Sequence, residues 1–391
     1  MNNAKGYFSQ FAISDEEFQN RLANVRKQME NAKIDLLIVA GDEHYQGHIR
    51  YLSDYRPILE YALIIISFEA DPILLCGPEC KDLAVQTSRV KDIRVCADVA
   101  IPGEEYPNET MCTFIETLSD IDRNNTISRI GVVNLDLIPS FLYRSILSAC
   151  GNREVINASL LIDKLRGIKS EREIEIMRYT YKMGKAGLNA GIDVLHTGKS
   201  ETDVVAAMSL PMYMMGAEQM SHCFYAGSGR NSSPALNFSM AEKDIEDGDL
   251  VVLDVGAVFH GYFSDIATTR IAGKVDKNKA RVLDTAIRAL DAAISVIKPG
   301  IKGKDIDLAA RRISSEAGYV KNHLYGAVHG VGLQHCEYPF FGPTTETFVE
   351  EGMFFNIDIG LFGFDFGGVR VENGILVTAG GCEVFAVEHC R

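Results

Sequence analysis

Two stretches of the chain each carry a pair of acids where a hairpin would bring them together. In VVLDVGAVFHGYFSDIATT, residues 251–269, a turn centred on Phe259 and His260 sets Asp254 directly across from Asp265. Opposed residues on paired strands hold their β-carbons roughly 4.5–5.5 Å apart, and like charges at that spacing repel. Asp254 also interrupts the apolar run VVLDV, so its carboxylate is expected to be buried, where an uncompensated charge is costly. Asp358 and Glu372 repeat the arrangement, equidistant from residue 365. Arg370 stands two before Glu372 on the same strand face, placed to steady that carboxylate or a substrate.

Two such penalties at one point invite a divalent cation. Adding His329 gives Asp254, Asp265, His329, Asp358 and Glu372, whose four carboxylates offset two divalent ions. Oxygen donors with one imidazole suit Mn²⁺ first, with Zn²⁺ or Co²⁺ as other fits. A pair of such ions holds a bridging hydroxide at neutral pH and polarises a carbonyl, which is hydrolytic chemistry. The competing account makes these four acids ordinary hairpin residues and His329 a core histidine bonded to backbone.

The stretch AVHGVGLQHCEYP, residues 327–339, adds His335 and Cys336. An imidazole with an unperturbed pKa of about 6.5 exchanges protons at neutral pH, whereas a thiol near 8.5 is a poorer base. His335 is therefore the candidate acid/base group. SHCFYAGSGRNSSPALNF, residues 221–238, is rich in turn formers and should border the same cleft, with His222 as a possible substrate contact.

The rest of the chain must position these groups. Its 391 residues suggest two domains, and a formal charge of -14 argues against nucleic acid or an anionic membrane as partner. Nine scattered cysteines without a CxxC pair read as reduced thiols. The N-terminus lacks a signal pattern and no apolar run reaches the length of a bilayer span, so a cytoplasmic protein is expected.

An α/β domain is expected over residues 1–160 and a second domain over 161–391. The first opens on a capping box at Ser14 and Glu17, followed by the stripe Phe18, Leu22, Val25 and Met29. Strand-like runs follow at 35–40, 62–68, 72–76 and 129–133, and helical text at 138–150. A second capping box, Ser170 with Glu173, starts a helix running to about Gly187. Beyond it the order repeats. A Gly-Lys turn leads into a helix at 197–208 and again at 299–313, and each is followed by a strand ending in an acid, Asp254 or Asp358. Two pseudo-symmetric halves around a cleft would follow.

Taken together, these residues resemble the creatinase/prolidase/methionine-aminopeptidase superfamily, and within it the two-domain Xaa-Pro peptidase branch. LRGIKSEREIEIMR, residues 165–178, is similar to the first helix of that family's catalytic domain, and the five acid and histidine positions fall in family order. The resemblance implies a creatinase-like N-terminal α/β domain followed by a pita-bread catalytic domain with a dinuclear metal site. It also implies a homodimer whose partner closes the cleft, and a small-molecule or dipeptide substrate. GDEHYQGHIRYLSDYRP, residues 41–57, aligns with the loop that reaches the other subunit, which makes His48, Tyr55 and Arg56 pocket candidates.

Three departures matter. Asp358 stands where a glutamate is usual, and Asn237 where a substrate-contacting histidine is usual. Cys336 occupies the place of a second catalytic histidine, with His335 one residue early and Glu337 and Pro339 in their usual places. Asn237, Cys336, Glu337 and His222 are then the expected substrate contacts, and His335 with Arg370 the catalytic pair. The leading expectation is hydrolysis of a C–N bond in an Xaa-Pro dipeptide. The alternative is a hydrolase or lyase of a small non-peptide compound, as in creatinase, ectoine hydrolase or dimethylsulfoniopropionate lyases.

Overall fold

In the computed structural model, which describes residues 10–385 and 389, the apolar runs near the N-terminus form one mixed sheet. Its strands are β1 (Leu36–Gly41), β2 (Ala62–Ile66), β3 (Ile73–Cys76), β4 (Asp92–Val95), β5 (Arg129–Val133) and β6 (Glu154–Asn157), in the order β4-β3-β2-β1-β5-β6. β1, β2 and β3 are buried along their whole length, which is why they read as unbroken apolar text rather than alternation. Phe114, Leu118, Leu142 and Ile146, from the helices Phe114–Ile121 and Ser140–Cys150, pack with Leu36, Ile38 and Leu63 in its core. β4 and β6 close the edges; neither is an apolar run and neither is fully buried, so periodicity does not announce them.

Two local expectations change. Ser14 does cap the helix Asp15–Ala32 through the N–H of Glu17, but the Glu17 carboxylate accepts from Arg21 Nη2 at 2.6 Å instead of closing the box. Residues 47–53 form a buried helix rather than an open loop, and His48 Nε2 lies 2.8 Å from Asp163 Oδ1. Tyr55 is fully buried, so it too serves the interior of this unit.

This unit runs from Ala12 to Arg166; a second begins at Gly167 and includes Gln10 and Phe11. The second opens with the helix Glu171–Val194, whose N-terminus carries the complete Ser170–Glu173 capping box. It continues past Gly187 because that glycine ends nothing. A β-carbon there would stand 2.8 Å from the Met208 carbonyl, so Gly187 lets the helix Glu201–Met214 approach closely.

The expected echo is present. Strands β7 (Gln219–Met220), β8 (Tyr225–Ser228), β9 (Leu250–Val255), β10 (Ala257–Phe259), β11 (Tyr262–Phe263) and β12 (Ile266–Ile271) form two small sheets, β11-β10-β7 and β12-β9-β8. Helices Lys277–Ser295 and Gly303–Glu316 then lead to β13 (Val328–Gly330), β14 (Glu337–Phe341), β15 (Phe354–Phe364), β16 (Gly367–Thr378) and β17 (Gly381–Phe385), in the order β14-β13-β15-β16-β17. Asp203 accepts the N–H of Ser200 at 3.1 Å, and Asp305 that of Lys302 at 3.2 Å, at matching helix starts. The halves are stapled where Thr269 Oγ1 donates to the Arg370 carbonyl and accepts the Arg370 N–H, both at 2.9 Å. That staple brings β12 against β16, and with them the acids.

Candidate metal centre

Oxygens of Asp254, Asp265 and Glu372 lie within 4.8 Å of one another, and all three residues are buried. Asp254 comes from β9, Asp265 from the residue before β12, and Glu372 from β16. They sit in a cleft of about 540 Å³ that is also lined by His329, His335, Asp358 and Arg370.

The two hairpins reach this result differently. Asp358 pairs directly with Glu372, as their equal distance from residue 365 predicts. Asp254 instead pairs with Ala267, because the turn is centred on His260–Gly261 and not on Phe259–His260. Both turn residues have positive φ, 47° and 80°, which suits a two-residue hairpin turn. The register is thus displaced by two. An even displacement keeps side chains on the same face, so Asp265 still points with Asp254.

Arg370 is the local countercharge. Its Nη1 donates to Asp254 Oδ2, while Nε lies 3.3 Å from Glu372 Oε1 and 3.6 Å from Asp358 Oδ1. Two further residues, not singled out from sequence, complete the network. Tyr325 donates to Asp358 Oδ1 at 2.9 Å and accepts from Arg370 Nη2 at 3.1 Å. Asn356 Nδ2 donates to Glu372 Oε2 at 3.2 Å and to the Asp265 carbonyl at 2.7 Å, and its own Oδ1 accepts from Tyr181 at 2.8 Å. Asn356 is two before Asp358 on one strand face, a spacing that could have flagged it; Tyr325 carries no such signal.

The histidines converge on one acid. His329 Nε2 is 3.4 Å and His335 Nε2 3.6 Å from Asp265 Oδ2. His222, exposed, stacks on Phe263 and meets the His335 ring edge-on at 6.2 Å. Cys336 lines the cleft, as does Cys223 from the stretch 221–238 expected to border it. Two expected contacts are engaged elsewhere. Glu337 Oε1 is 2.8 Å from Lys169 Nζ in a buried ion pair, and Oε2 accepts the Gln334 N–H. The Asn237 amide donates to the Asn231 carbonyl and its oxygen accepts the Phe238 N–H, so it fastens its own loop, while Leu236 beside it lines the cleft.

Burial sets the electrostatics. It raises Asp254 to about 6 despite Arg370, and lifts Asp265 and Glu372 well above the carboxylate range with help from neighbouring aspartates. Burial, then His329, His222 and Arg370, push His335 down to about 3, so its ring is neutral at neutral pH. One guanidinium cannot neutralise this many acids. Asp254 Oδ1 is buried without a hydrogen-bond partner. Convergent oxygens with an orphaned acceptor are what a divalent cation fits.

Comparison with known proteins agrees with this geometry. Residues 175–379 match metallopeptidase family M24, and residues 21–168 match the creatinase/prolidase N-terminal domain. The chain is 32% identical to the Xaa-Pro dipeptidase of Pyrococcus furiosus over 93% of this chain and 97% of that one. The crystal structure of the prolidase from Pyrococcus horikoshii OT3 superposes with a TM-score of 0.81 at 27% identity, covering 95% of this chain and 99% of that one. For the Xaa-Pro dipeptidase from Bacillus anthracis the TM-score is 0.80 at 25% identity, over 96% and 99%. With a creatinase-like α/β domain, a pita-bread domain and its acids gathered at the junction of two halves, the chain belongs to metallopeptidase family M24.

Proposed function

We propose that the protein is a metal-dependent hydrolase that cleaves the bond preceding proline in short peptides, as an Xaa-Pro dipeptidase or aminopeptidase. The observation that carries this is the convergence of Asp254, Asp265 and Glu372 within 4.8 Å at the cleft floor. With His329 and Asp358 beside them, the set suits two divalent ions, Mn²⁺ before Zn²⁺ or Co²⁺. Bound ions of this kind supply a Lewis acid for the scissile carbonyl and an activated water.

The chain's own residues do the rest. Arg370 holds the orientation of the carboxylates, and neutral His335, with Nε2 3.6 Å from Asp265 Oδ2, is the acid/base group. Cys336 and His222 border the place of the substrate. The unit ending at Arg166, six residues beyond the expected boundary at 160, serves as the creatinase-like domain and the unit from Gly167 as the catalytic domain, in a cytoplasmic homodimer. No described helix is long and apolar enough to cross a membrane.

A second reading, a small non-peptide substrate, is favoured by one observation. Asn237 is consumed by its own loop and Glu337 by Lys169, so neither is left to grip a peptide. A panel of Xaa-Pro dipeptides, ectoine, creatine and dimethylsulfoniopropionate, assayed with Mn²⁺, Zn²⁺ and Co²⁺, separates the two. Turnover of a proline dipeptide at ordinary enzymatic rates supports the first reading; activity confined to a non-peptide compound overturns it.

A further inference from the structure

We propose that Tyr325 is a positioning residue for Asp358, holding one oxygen of that short carboxylate so that the other is left for a divalent ion. The proposal rests on the metal-dependent reading above.

Asp358 faces Glu372 across the ladder, yet it is not among the three acids whose oxygens gather most tightly. An aspartate is one methylene shorter than a glutamate, and this one has Arg370 Nε 3.6 Å from its Oδ1. Unrestrained, so short a carboxylate beside a guanidinium would close into a two-point ion pair, occupying both oxygens. The Tyr325 hydroxyl prevents that by standing between them. A guanidinium can only donate, so the 3.1 Å contact from Arg370 Nη2 takes a lone pair of the hydroxyl. The single hydroxyl proton is then directed to Asp358 Oδ1 at 2.9 Å.

The backbone leaves room for this arrangement. Gly360 pairs with Arg370 across the ladder, and a β-carbon at Gly360 would stand 2.6 Å from the Tyr325 hydroxyl and 2.0 Å from the Phe362 ring. The missing side chain is the space in which the hydroxyl sits. Phe362 and Tyr325, whose ring centres are 6.2 Å apart, both lie against the Arg370 guanidinium, whose carbon is 5.5 and 5.9 Å from them.

The test is calorimetric titration of chelator-stripped protein with Mn²⁺, with ion content checked by elemental analysis. Wild type should take two ions. Y325F, which keeps the ring, should bind the first ion as before and the second roughly 10–100-fold more weakly, the usual cost of losing a group that orients a ligand. In a D358E background, where the longer side chain reaches without the tether, adding Y325F should change the second affinity by less than about threefold. Thermal melts of the stripped proteins confirm that each variant folds. Two ions bound alike by wild type and Y325F overturn this proposal alone, and so does an equal loss in the D358E background. A wild type that binds fewer than two ions overturns the two-ion reading and this proposal with it.

Discussion

His329 and His335, six residues apart, both bring Nε2 within 3.6 Å of a single oxygen, Oδ2 of Asp265. Only one of them has a partner on its other nitrogen: His329 Nδ1 is 3.2 Å from the Gly330 carbonyl, whereas His335 Nδ1 is buried without one. The two rings are therefore suited to different tasks. His329 is oriented as a ligand would be, and His335 keeps a nitrogen uncommitted. H335A should lower turnover roughly 10²–10⁴-fold at unchanged metal content, the usual worth of a positioned proton acceptor. C336A should stay within a few fold. Elemental analysis beside steady-state kinetics checks both, and equal activity of H335A and wild type would remove His335 from the reaction.

Without metal, the site acids should contribute to stability with a pH dependence opposite to that of ordinary salt-bridged carboxylates. Asp254 stands at about 6 in the folded chain against 3.8 unfolded, and Asp265 and Glu372 move the same way. A raised folded value means that the native state holds protons the unfolded state releases. The stabilisation is complete below about pH 4 for this group and is lost as pH rises through about 6. Bound ions take the place of those protons, so the gap in melting temperature between loaded and stripped protein should widen from pH 5 to pH 8. A gap that stays constant or narrows would show that the acids are charged without metal.

The Lys169–Glu337 pair, 1% and 4% exposed, ties the start of the catalytic unit to the loop carrying His335. Removing one partner leaves a buried charge uncompensated, which costs about 3–5 kcal/mol. K169M should therefore destabilise strongly in urea, and K169M with E337Q should recover part of the loss. If the double variant is no better than the single one, the pair is not the source of the cost.

Much of this organisation was legible in the sequence because it is local. Ser170–Glu173, the runs of β1 to β3 and the symmetry of Asp358 and Glu372 about residue 365 each depend on neighbours a few positions apart or on one hairpin. Gly187 shows the limit of that reading. As text it marks a helix end; in space it marks a crossing, and the helix runs on to Val194. Lys169–Glu337, 168 residues apart, and Tyr325–Arg370 join segments with no periodicity in common, so nothing in the text connects them. The two-residue displacement at Asp254 was invisible for a different reason: parity of the strand hides any even slip.

The glycine crossing gives a further expectation. G187A would push a β-carbon to 2.8 Å from the Met208 carbonyl and 2.9 Å from the Met212 side chain. Alanine favours a helix intrinsically, yet overpacking of this kind costs about 1–3 kcal/mol and should win. A melting temperature equal to or above that of wild type would mean the helices separate freely.

The staple between Thr269 and Arg370 has a kinetic consequence. Asp254 and Arg370 lie 116 residues apart, and the acids of β9 and β16 share a site only after the two halves have docked. Contacts between such distant segments form late in folding, and those absent from the transition state act mainly on the rate of unfolding. Metal should therefore leave the refolding rate nearly unchanged and slow unfolding, so that the ion works as a latch on a finished structure rather than as its nucleus.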